Sequence, residues 1–231
     1  MAEPQQTRSG GGCFSKLLLL FLLAALAALG MAIFYVTQPQ DLSDIGGYGA
    51  TTRTSPPRDL KLVLKNAIDR GYPLTLSENE INQWLADTLV TRQGGVLDAS
   101  IKLEHVWVRL EQGRAEVIME RSILGKPFTV SMYLQVERVE GAKGQATEVS
   151  MHGGPYFKDY PNPPKGGRFG QLVIPQGFLI LVLPAYEKLA ALFADEIKLG
   201  LTEMSKISIE NDSIVLDPRQ TTGDQGMPMK F

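Results

Sequence analysis

Few side chains in this sequence are of the types that carry out catalysis or hold a metal. The histidines are His105 and His152, and the single cysteine, Cys13, precedes a long apolar segment. His105 lies where a predicted strand changes the phase of its apolar residues, and His152 precedes two glycines. The sequence has no His-Glu-x-x-His, no Gly-x-Ser-x-Gly and no glycine-rich loop that leads into a helix. We therefore predict no metal site, no cofactor and no enzymatic activity.

Two carboxylates at the start of a predicted helix, Glu78 and Glu80, are the next candidates. Negative charge in the first turn of a helix is stabilised by the helix dipole. Ser77 and Glu80 also have the spacing of a capping box, in which each side chain accepts a hydrogen bond from the other residue's amide. Glu104 would point to the opposite face of its strand from His105. We interpret Glu78 and Glu80 as helix-start charges on a solvated face.

Composition limits the class of protein. The chain has 23 basic and 25 acidic residues and a formal net charge of −2, which argues against a nucleic-acid partner. A lone cysteine excludes an internal disulfide and a cysteine-rich metal centre. Stability must therefore come from the burial of an apolar core, and one folded domain is expected.

An uncharged apolar segment runs from Leu17 to Val36. At about 1.5 Å per residue it covers the roughly 30 Å hydrocarbon thickness of a bilayer. The alternative is a cleaved signal peptide, because residues 25–27 resemble a cleavage site, although the apolar part of a signal is usually about 7 to 15 residues long. We predict a single membrane-spanning helix.

The charges beside this segment predict its orientation. Arg8 and Lys16 precede it, whereas Asp41 and Asp44 follow it. The positive-inside rule then places residues 1–16 in the cytoplasm and the rest of the chain outside. We predict a protein of the inner (plasma) membrane with an extracytoplasmic domain.

The composition also divides the chain beyond this helix. Residues 37–57 are rich in Gly, Ser, Thr and Pro and predict a flexible linker, and residues 219–231 predict a disordered tail. Between them, residues 58–218 have the patterns of one α+β domain.

Helical patterns occur at three places in this domain. Residues 59–69 predict a short amphipathic helix that Gly71 ends, and a second helix begins at Glu78. Pro184 suits the first turn of a long helix that continues to Gly200. Together with the strands, they predict a curved antiparallel sheet packed on a long helix.

Residues 128–137 have the clearest strand pattern, with a period of two. We predict a buried face and a wet face, formed respectively by Phe128, Val130, Met132, Leu134 and Val136, and by Thr129, Ser131, Tyr133, Gln135 and Glu137. Residues 100–110, with a bulge near His105, and residues 115–120 and 146–151 complete a predicted four-stranded meander. Residues 207–216 predict a closing hairpin.

Two segments between the meander and the long helix have weaker patterns. Residues 153–170 hold many prolines, glycines and aromatics and predict a long surface loop, which either covers the sheet edge or serves binding. Residues 172–183 are the most apolar stretch of the domain, but Pro175 and Pro184 interrupt it. We expect this stretch to be too short to span a bilayer and to form one wall of a groove.

The chain resembles a family of small anchored envelope proteins of the YpmS and YceB kind, which look like members of the tubular lipid-binding (TULIP-like) group. The residues that carry the resemblance are Leu74–Asn82, the proline-interrupted apolar segment and the hairpin Ile207–Leu216. The resemblance implies a curved sheet wrapped on a long helix, with an apolar groove that holds acyl chains.

Two functions from different classes remain open at this point. One is a module that binds a lipid or another hydrophobic ligand in cell-envelope maintenance, and the other is a structural or assembly protein that docks a membrane or envelope partner. The same apolar residues would serve either function. The candidate groove residues are Val130, Met132, Leu134, Phe178 and Leu181.

Overall fold

The computed structural model describes residues 13–47, 58–92, 101–123, 125–141, 144–157 and 163–219. The protein is α+β, as predicted, with an apolar N-terminal helix and antiparallel sheets. The helices are α1 (Cys13–Thr37), α2 (Leu60–Arg70), α3 (Glu78–Arg92), α4 (Leu183–Leu192) and α5 (Ala194–Ile197). The strands are β1 (Leu74–Ser77), β2 (Ile101–Glu111), β3 (Arg114–Ile123), β4 (Lys126–Gly141), β5 (Gly144–Met151), β6 (Lys165–Phe169), β7 (Leu172–Pro175), β8 (Lys206–Glu210) and β9 (Ser213–Asp217).

The strands form two sheets. The larger has the order β2-β3-β4-β6-β7, and β5 pairs with the second half of β4. The smaller has the order β1-β9-β8. The predicted meander is confirmed as β2 to β5, and the closing hairpin is confirmed as β8 and β9, but this hairpin pairs with β1 rather than with the meander.

Local sequence signals set several element boundaries. The Asp59 carboxylate caps α2 by accepting from the amides of Lys61 and Leu62, and Gly71 ends the helix with a φ of 64°. The capping box is confirmed, since the Ser77 amide donates to Glu80 at 3.0 Å and the Glu80 amide donates to the Ser77 hydroxyl at 3.3 Å. These contacts explain why α3 begins at Glu78.

The predicted bulge in β2 is also confirmed. The pairing of β2 with β3 shifts between Leu103 and His105. The extra residue places Leu103 and Val106 on the same buried face, although an odd spacing would otherwise send them to opposite faces.

The segment predicted as a long loop contains a strand. Lys165–Phe169 forms β6 between β4 and β7, while residues 158–162 lie outside the described part of the chain. A side chain at Gly167 would place its Cβ 1.9 Å from the Ser131 carbonyl oxygen, so only glycine permits this approach. The loop prediction was therefore wrong for these residues.

The apolar stretch after the loop also differs from the prediction. It forms β7 and then a 3-10 turn, Gln176–Leu181, whose residues Phe178 and Leu181 are exposed and do not form a wall of the cavity. The long helix starts beside Pro184 as predicted, but it is interrupted at Phe193, where φ is −117° and ψ is 26°. After α5 the chain makes a π-type turn, Lys198–Thr202.

Helix α1 is long and apolar enough to cross a membrane over Phe14–Thr37. Its side chains are largely exposed, as expected for a segment that packs against lipid. Its last turn lies against the β6–β7 turn, because the Gln171 amide donates to the Tyr35 carbonyl at 3.0 Å. A Cβ at Gly170 would lie 2.4 Å from the carbonyl oxygens of Val36 and Gln38. The predicted apolar helix is confirmed as a candidate for a membrane span, and its C-terminal end contacts the domain directly.

Residues 38–47, here called the strap, differ most from the sequence-based expectation. The strap crosses the outer face of the large sheet and includes a 3-10 turn, Ser43–Ile45. Leu42 is fully buried and packs with Ile45 against Trp107 and Ile118. The prediction of a flexible linker was therefore wrong for its first part, and residues 48–57 lie outside the described chain. The predicted tail lies outside it as well, except for Arg219.

The strap also overturns the wet face predicted for β4. Thr129, Ser131 and Tyr133 are buried on that face. The Thr129 hydroxyl accepts from the Gln40 amide at 2.9 Å, and the Ser131 hydroxyl accepts from the Arg168 amide at 3.0 Å. Thr129 thus bonds to the strap, whereas Ser131 bonds to the neighbouring strand β6 of the same sheet.

Truncation of Leu42 tests the docked strap. Leu42→Ala should lower the free energy of unfolding by about 2 to 5 kcal/mol, because it removes a fully buried side chain and leaves a cavity. Leu62→Ala, at an exposed position of α2, should change it by less than about 0.5 kcal/mol. Denaturant unfolding followed by circular dichroism measures both, and equal effects would show that the strap is not docked.

Candidate functional site

An apolar cavity of about 350 Å³ lies between the two sheets and the helices. The large sheet supplies one wall, and α3 and α4 supply the sides. Residues of α2, β1 and β9 close the other end. The cavity thus joins the two main hydrophobic clusters of the domain, one under the large sheet and one under the small sheet.

The walls of the cavity are almost entirely hydrocarbon. The large sheet contributes Val106, Val108, Val117, Met132 and Leu134, and α3 contributes Ile81, Trp84 and Leu85. The lining residues of the large sheet alternate along their strands with residues that contact the strap, such as Trp107 and Ile118. The cavity and the strap therefore lie on opposite faces of the sheet.

Two polar side chains line this cavity, and the first is Tyr186. Its hydroxyl lies 2.9 Å from the Val130 carbonyl and 3.0 Å from the Val117 carbonyl. Burial raises the pKa of Tyr186 well above its ordinary value, so the hydroxyl stays protonated and donates to the sheet. Its phenol ring therefore faces the cavity as apolar surface.

The second is Glu196, a buried residue of α5. The neighbouring Asp195 is exposed and forms an ion pair with Lys61 of α2. The side chains of Ala190 and Ile197, which also line the cavity, are exposed. The cavity therefore reaches the surface beside α4 and α5.

The broken helix forms the roof of the opening. Phe193 lies at the break and packs its ring against Trp84, with centroids 5.3 Å apart. Gly200 and Leu201 of the π-type turn complete the lining. Such turns are frequent at functional sites because they displace a helix locally.

The structure brings together some of the predicted groove residues and separates others. Met132 and Leu134 line the cavity, while Val130 is buried in the adjoining core. Phe178 is 56% exposed and Leu181 is 71% exposed, and neither lines the cavity. In the 3-10 turn that carries them, Leu179 is the residue that points inward.

Sequence reasoning missed the contributions of α2 and of the small sheet to the cavity. Leu60, Leu64, Leu76 and Leu216 belong to elements far apart in sequence. Their apolar periodicity was visible, but nothing local indicated that one cavity would separate them from Met132.

The predicted helix-start carboxylate Glu78 is buried rather than solvated. It accepts from the Leu110 amide at 2.7 Å, and burial raises its pKa. Asn82, one turn later, bonds to both the amide and the carbonyl of Val108. These side chains satisfy backbone groups of the edge strand β2, so their role in this structure is to attach α3 to the sheet.

The histidines lie apart from each other and from the cavity. His105 Nδ1 is 3.3 Å from Glu120, and hydrogen bonding to His105 lowers the pKa of that carboxyl. His152 Nδ1 accepts from the Gly154 amide at 3.1 Å. No group of three His, Cys, Asp or Glu in the described residues is placed to hold a metal ion.

A buried charge cluster lies beneath the strap on the other face of the sheet. Glu116 is 1% exposed and accepts from Arg109 at 3.0 Å and from the Ser131 hydroxyl at 2.5 Å. Arg168 lies 3.5 Å from the same carboxylate. Arg109 also donates twice to Asp44 of the strap, at 2.9 Å each. The cluster thus holds the strap, and through it α1, to the sheet.

No model of a known protein family matches this chain, and no curated protein matches it. The resemblance to the YpmS and YceB kind of protein therefore stays a prediction.

Removal of Arg109 tests the charge cluster. Arg109→Ala should lower the free energy of unfolding by about 3 to 5 kcal/mol, because it removes an ion-pair partner of the buried Glu116 carboxylate. Arg58→Ala removes an ion pair with Glu80 whose side chains are 60% and 35% exposed, and it should cost less than about 1 kcal/mol. Thermal and denaturant unfolding would compare the two variants, and similar losses would contradict a stabilising role for the cluster.

Proposed function

We propose that this protein is a single-pass membrane protein of the cell envelope whose extracytoplasmic domain holds a small hydrophobic ligand. The observation that carries the proposal is the apolar cavity of about 350 Å³. Ligand sites in proteins occupy roughly 300 to 1,000 Å³ and have mostly apolar walls. An apolar cavity of about 150 Å³ already stays dry and binds small hydrocarbons.

The short distance between the apolar helix and the domain supports this proposal. Because the strap docks on the sheet directly after α1, the domain is held next to the bilayer in which hydrophobic molecules dissolve. We infer that the N-terminus is cytoplasmic, since Arg8 and Lys16 precede the helix and acidic residues follow it.

The two tryptophans provide a test of ligand entry. Trp84 lines the cavity, whereas Trp107 is buried under the strap on the opposite face of the sheet. The variant Trp107→Phe leaves Trp84 as the only tryptophan, and Trp84→Phe leaves Trp107. Full-length protein in nanodiscs would be exposed to brominated phospholipid or to ω-bromododecanol, because bromine quenches tryptophan on contact.

We expect at least one probe to quench most of the Trp84 emission while Trp107 keeps its emission. Val117→Phe fills the cavity and should abolish the quenching, while Val149→Phe, at a partly exposed position of β5, should leave it unchanged. Equal quenching of both tryptophans, or of neither, would refute the proposal.

The orientation of α1 in the membrane can be tested separately. An alkaline phosphatase fusion after Pro218 should be active, and the full-length protein should stay in the membrane after carbonate washing. An inactive fusion would reverse the orientation, and a released form shortened by roughly 30 residues would indicate a cleaved signal peptide.

A second candidate function is supported by a different observation. Phe178, Ile180 and Leu181 form an exposed apolar patch on the 3-10 turn after β7. Such a patch would suit an assembly protein that docks an envelope partner. A photo-crosslinking residue at position 181 should then give one discrete adduct in intact cells, and the same residue at exposed position 62 should give none.

A further inference from the structure

We infer that a second site, on the other face of the large sheet from the apolar cavity, binds a neutral saccharide. This site is a polar pocket of about 610 Å³, here called the amide pocket. Its side chains are three carboxamides, an imidazole and an ion pair, contributed by Gln112, Gln135, Asn211, His152, Glu111 and Arg114. None of these residues lines the apolar cavity, so the inference is independent of the proposed function.

The amide pocket lies on the same face of the large sheet as the strap. Gln135 follows Leu134 along β4, and Leu134 lines the apolar cavity, so the two side chains point to opposite faces. Arg114 is in register with Gln135 on the neighbouring strand. The sheet therefore separates the amide pocket from the apolar cavity.

Two turns that are bonded to each other build one side of the amide pocket. The Gly113 amide in the β2–β3 turn donates to the Ile209 carbonyl at 2.9 Å. The Gln112 amide donates to Oδ1 of Asn211, in the β8–β9 turn, at 3.0 Å. These bonds hold turns from the two sheets together, so the polar groups are positioned before a ligand arrives.

The main-chain amides in the lining already have acceptors. Those of Gln112 and Gly113 bond across the two turns, and the Gly154 amide donates to Nδ1 of His152 at 3.1 Å. Extended peptides are commonly recognised through main-chain hydrogen bonds, and anions through successive main-chain amides. The amide pocket offers side chains instead, which disfavours both of these ligands.

The charges in the lining balance each other. Arg114 donates to the Glu111 carboxylate through Nε, at 2.7 Å, and through a terminal nitrogen. Its other terminal nitrogen donates to the Gly153 carbonyl at 2.6 Å, and the guanidinium lies 5.1 Å from the centre of the Tyr133 ring. Because each charge has its partner within the lining, the pocket favours a ligand without net charge.

The existing hydrogen bonds also determine which side-chain atoms remain for a ligand. Oδ1 of Asn211 accepts from Gln112, so its Nδ2 is a donor. A neutral imidazole that accepts at Nδ1 carries its proton on Nε2, so His152 is a second donor. Nε2 of Gln135 donates to Glu137 at 2.8 Å, so its Oε1 is an acceptor. The amide pocket thus combines donors and an acceptor.

A saccharide fits this combination better than the alternatives. Each of its hydroxyl groups both donates and accepts, as a serine hydroxyl does, and a neutral sugar brings no charge. A hydrocarbon would remove water from the carboxamides without replacing its hydrogen bonds, which is unfavourable. The amide pocket therefore favours a neutral polyhydroxyl ligand.

Ligand-observed NMR with the full-length protein in nanodiscs tests this inference, with empty nanodiscs as the blank. The probes are two neutral saccharides, chitotriose and maltotriose, together with inorganic phosphate and the neutral peptide N-acetyl-trialanine amide. We expect at least one saccharide to bind, and to bind more tightly than phosphate or the peptide.

Variants locate the binding. Gln135→Leu removes an acceptor and Asn211→Ala removes a donor, and each should weaken saccharide binding about 3- to 10-fold, the effect of one lost hydrogen bond. Gln83→Leu, on α3 and outside the pocket, is the matched control and should bind as the native protein does. Circular dichroism would establish that all three variants are folded.

Three results would overturn the inference: neither saccharide binds, phosphate or the peptide binds more tightly than both saccharides, or Gln135→Leu and Asn211→Ala weaken binding no more than Gln83→Leu does. Each of these results leaves the proposal for the apolar cavity unchanged, because that proposal is tested by the quenching of Trp84.

Discussion

The ion pair between Arg109 and Glu116 is the contact on which the arrangement of the domain depends. A carboxylate that is 1% exposed inside a sheet is stable only when cations and donors surround it, and here Arg109, Arg168 and Ser131 do so. Arg109 has further donors, and these bind the Asp44 carboxylate and the Asp41 carbonyl of the strap. The requirement to satisfy one buried charge therefore attaches the segment that follows α1 to the sheet.

This attachment determines what each face of the sheet can do. The outer face is covered by the strap above Trp107 and Ile118, so this part of it is not available to a ligand. The inner face packs on α3 and α4, but the interruption at Phe193 and the π-type turn prevent a continuous helix from filling the space beneath β3 and β4. The apolar side chains of the two sheets therefore surround a cavity instead of meeting one another.

Much of the fold could be predicted because its signals are local. The end of α2 at Gly71, the capping box at Ser77 and the phase shift at His105 each involve a few neighbouring residues, and each was predicted. Each signal depends on hydrogen bonds or backbone conformation among residues a few positions apart, so distant residues do not override it.

The wrong predictions concern residues whose structure depends on a partner far away in sequence. Leu42 and Ile45 are two apolar residues in a polar segment, and only Trp107 and Ile118 make their burial favourable. The need for glycine at position 167 is visible only in the folded sheet, where the Ser131 carbonyl lies against it. For the candidate site, Met132 and Leu134 followed from the period of β4, whereas Phe178 and Leu181 were misplaced because the residues after Pro175 form a 3-10 turn.

Native mass spectrometry of the full-length protein released from its own membranes tests the central claim most directly, since it detects a ligand acquired in the cell. We expect the native protein to carry a small hydrophobic molecule in a one-to-one ratio, and Val117→Phe, folded to the same extent, to carry none. Equal amounts of the same adduct on both proteins, or a native protein without any adduct, would contradict the assignment of the cavity as a binding site.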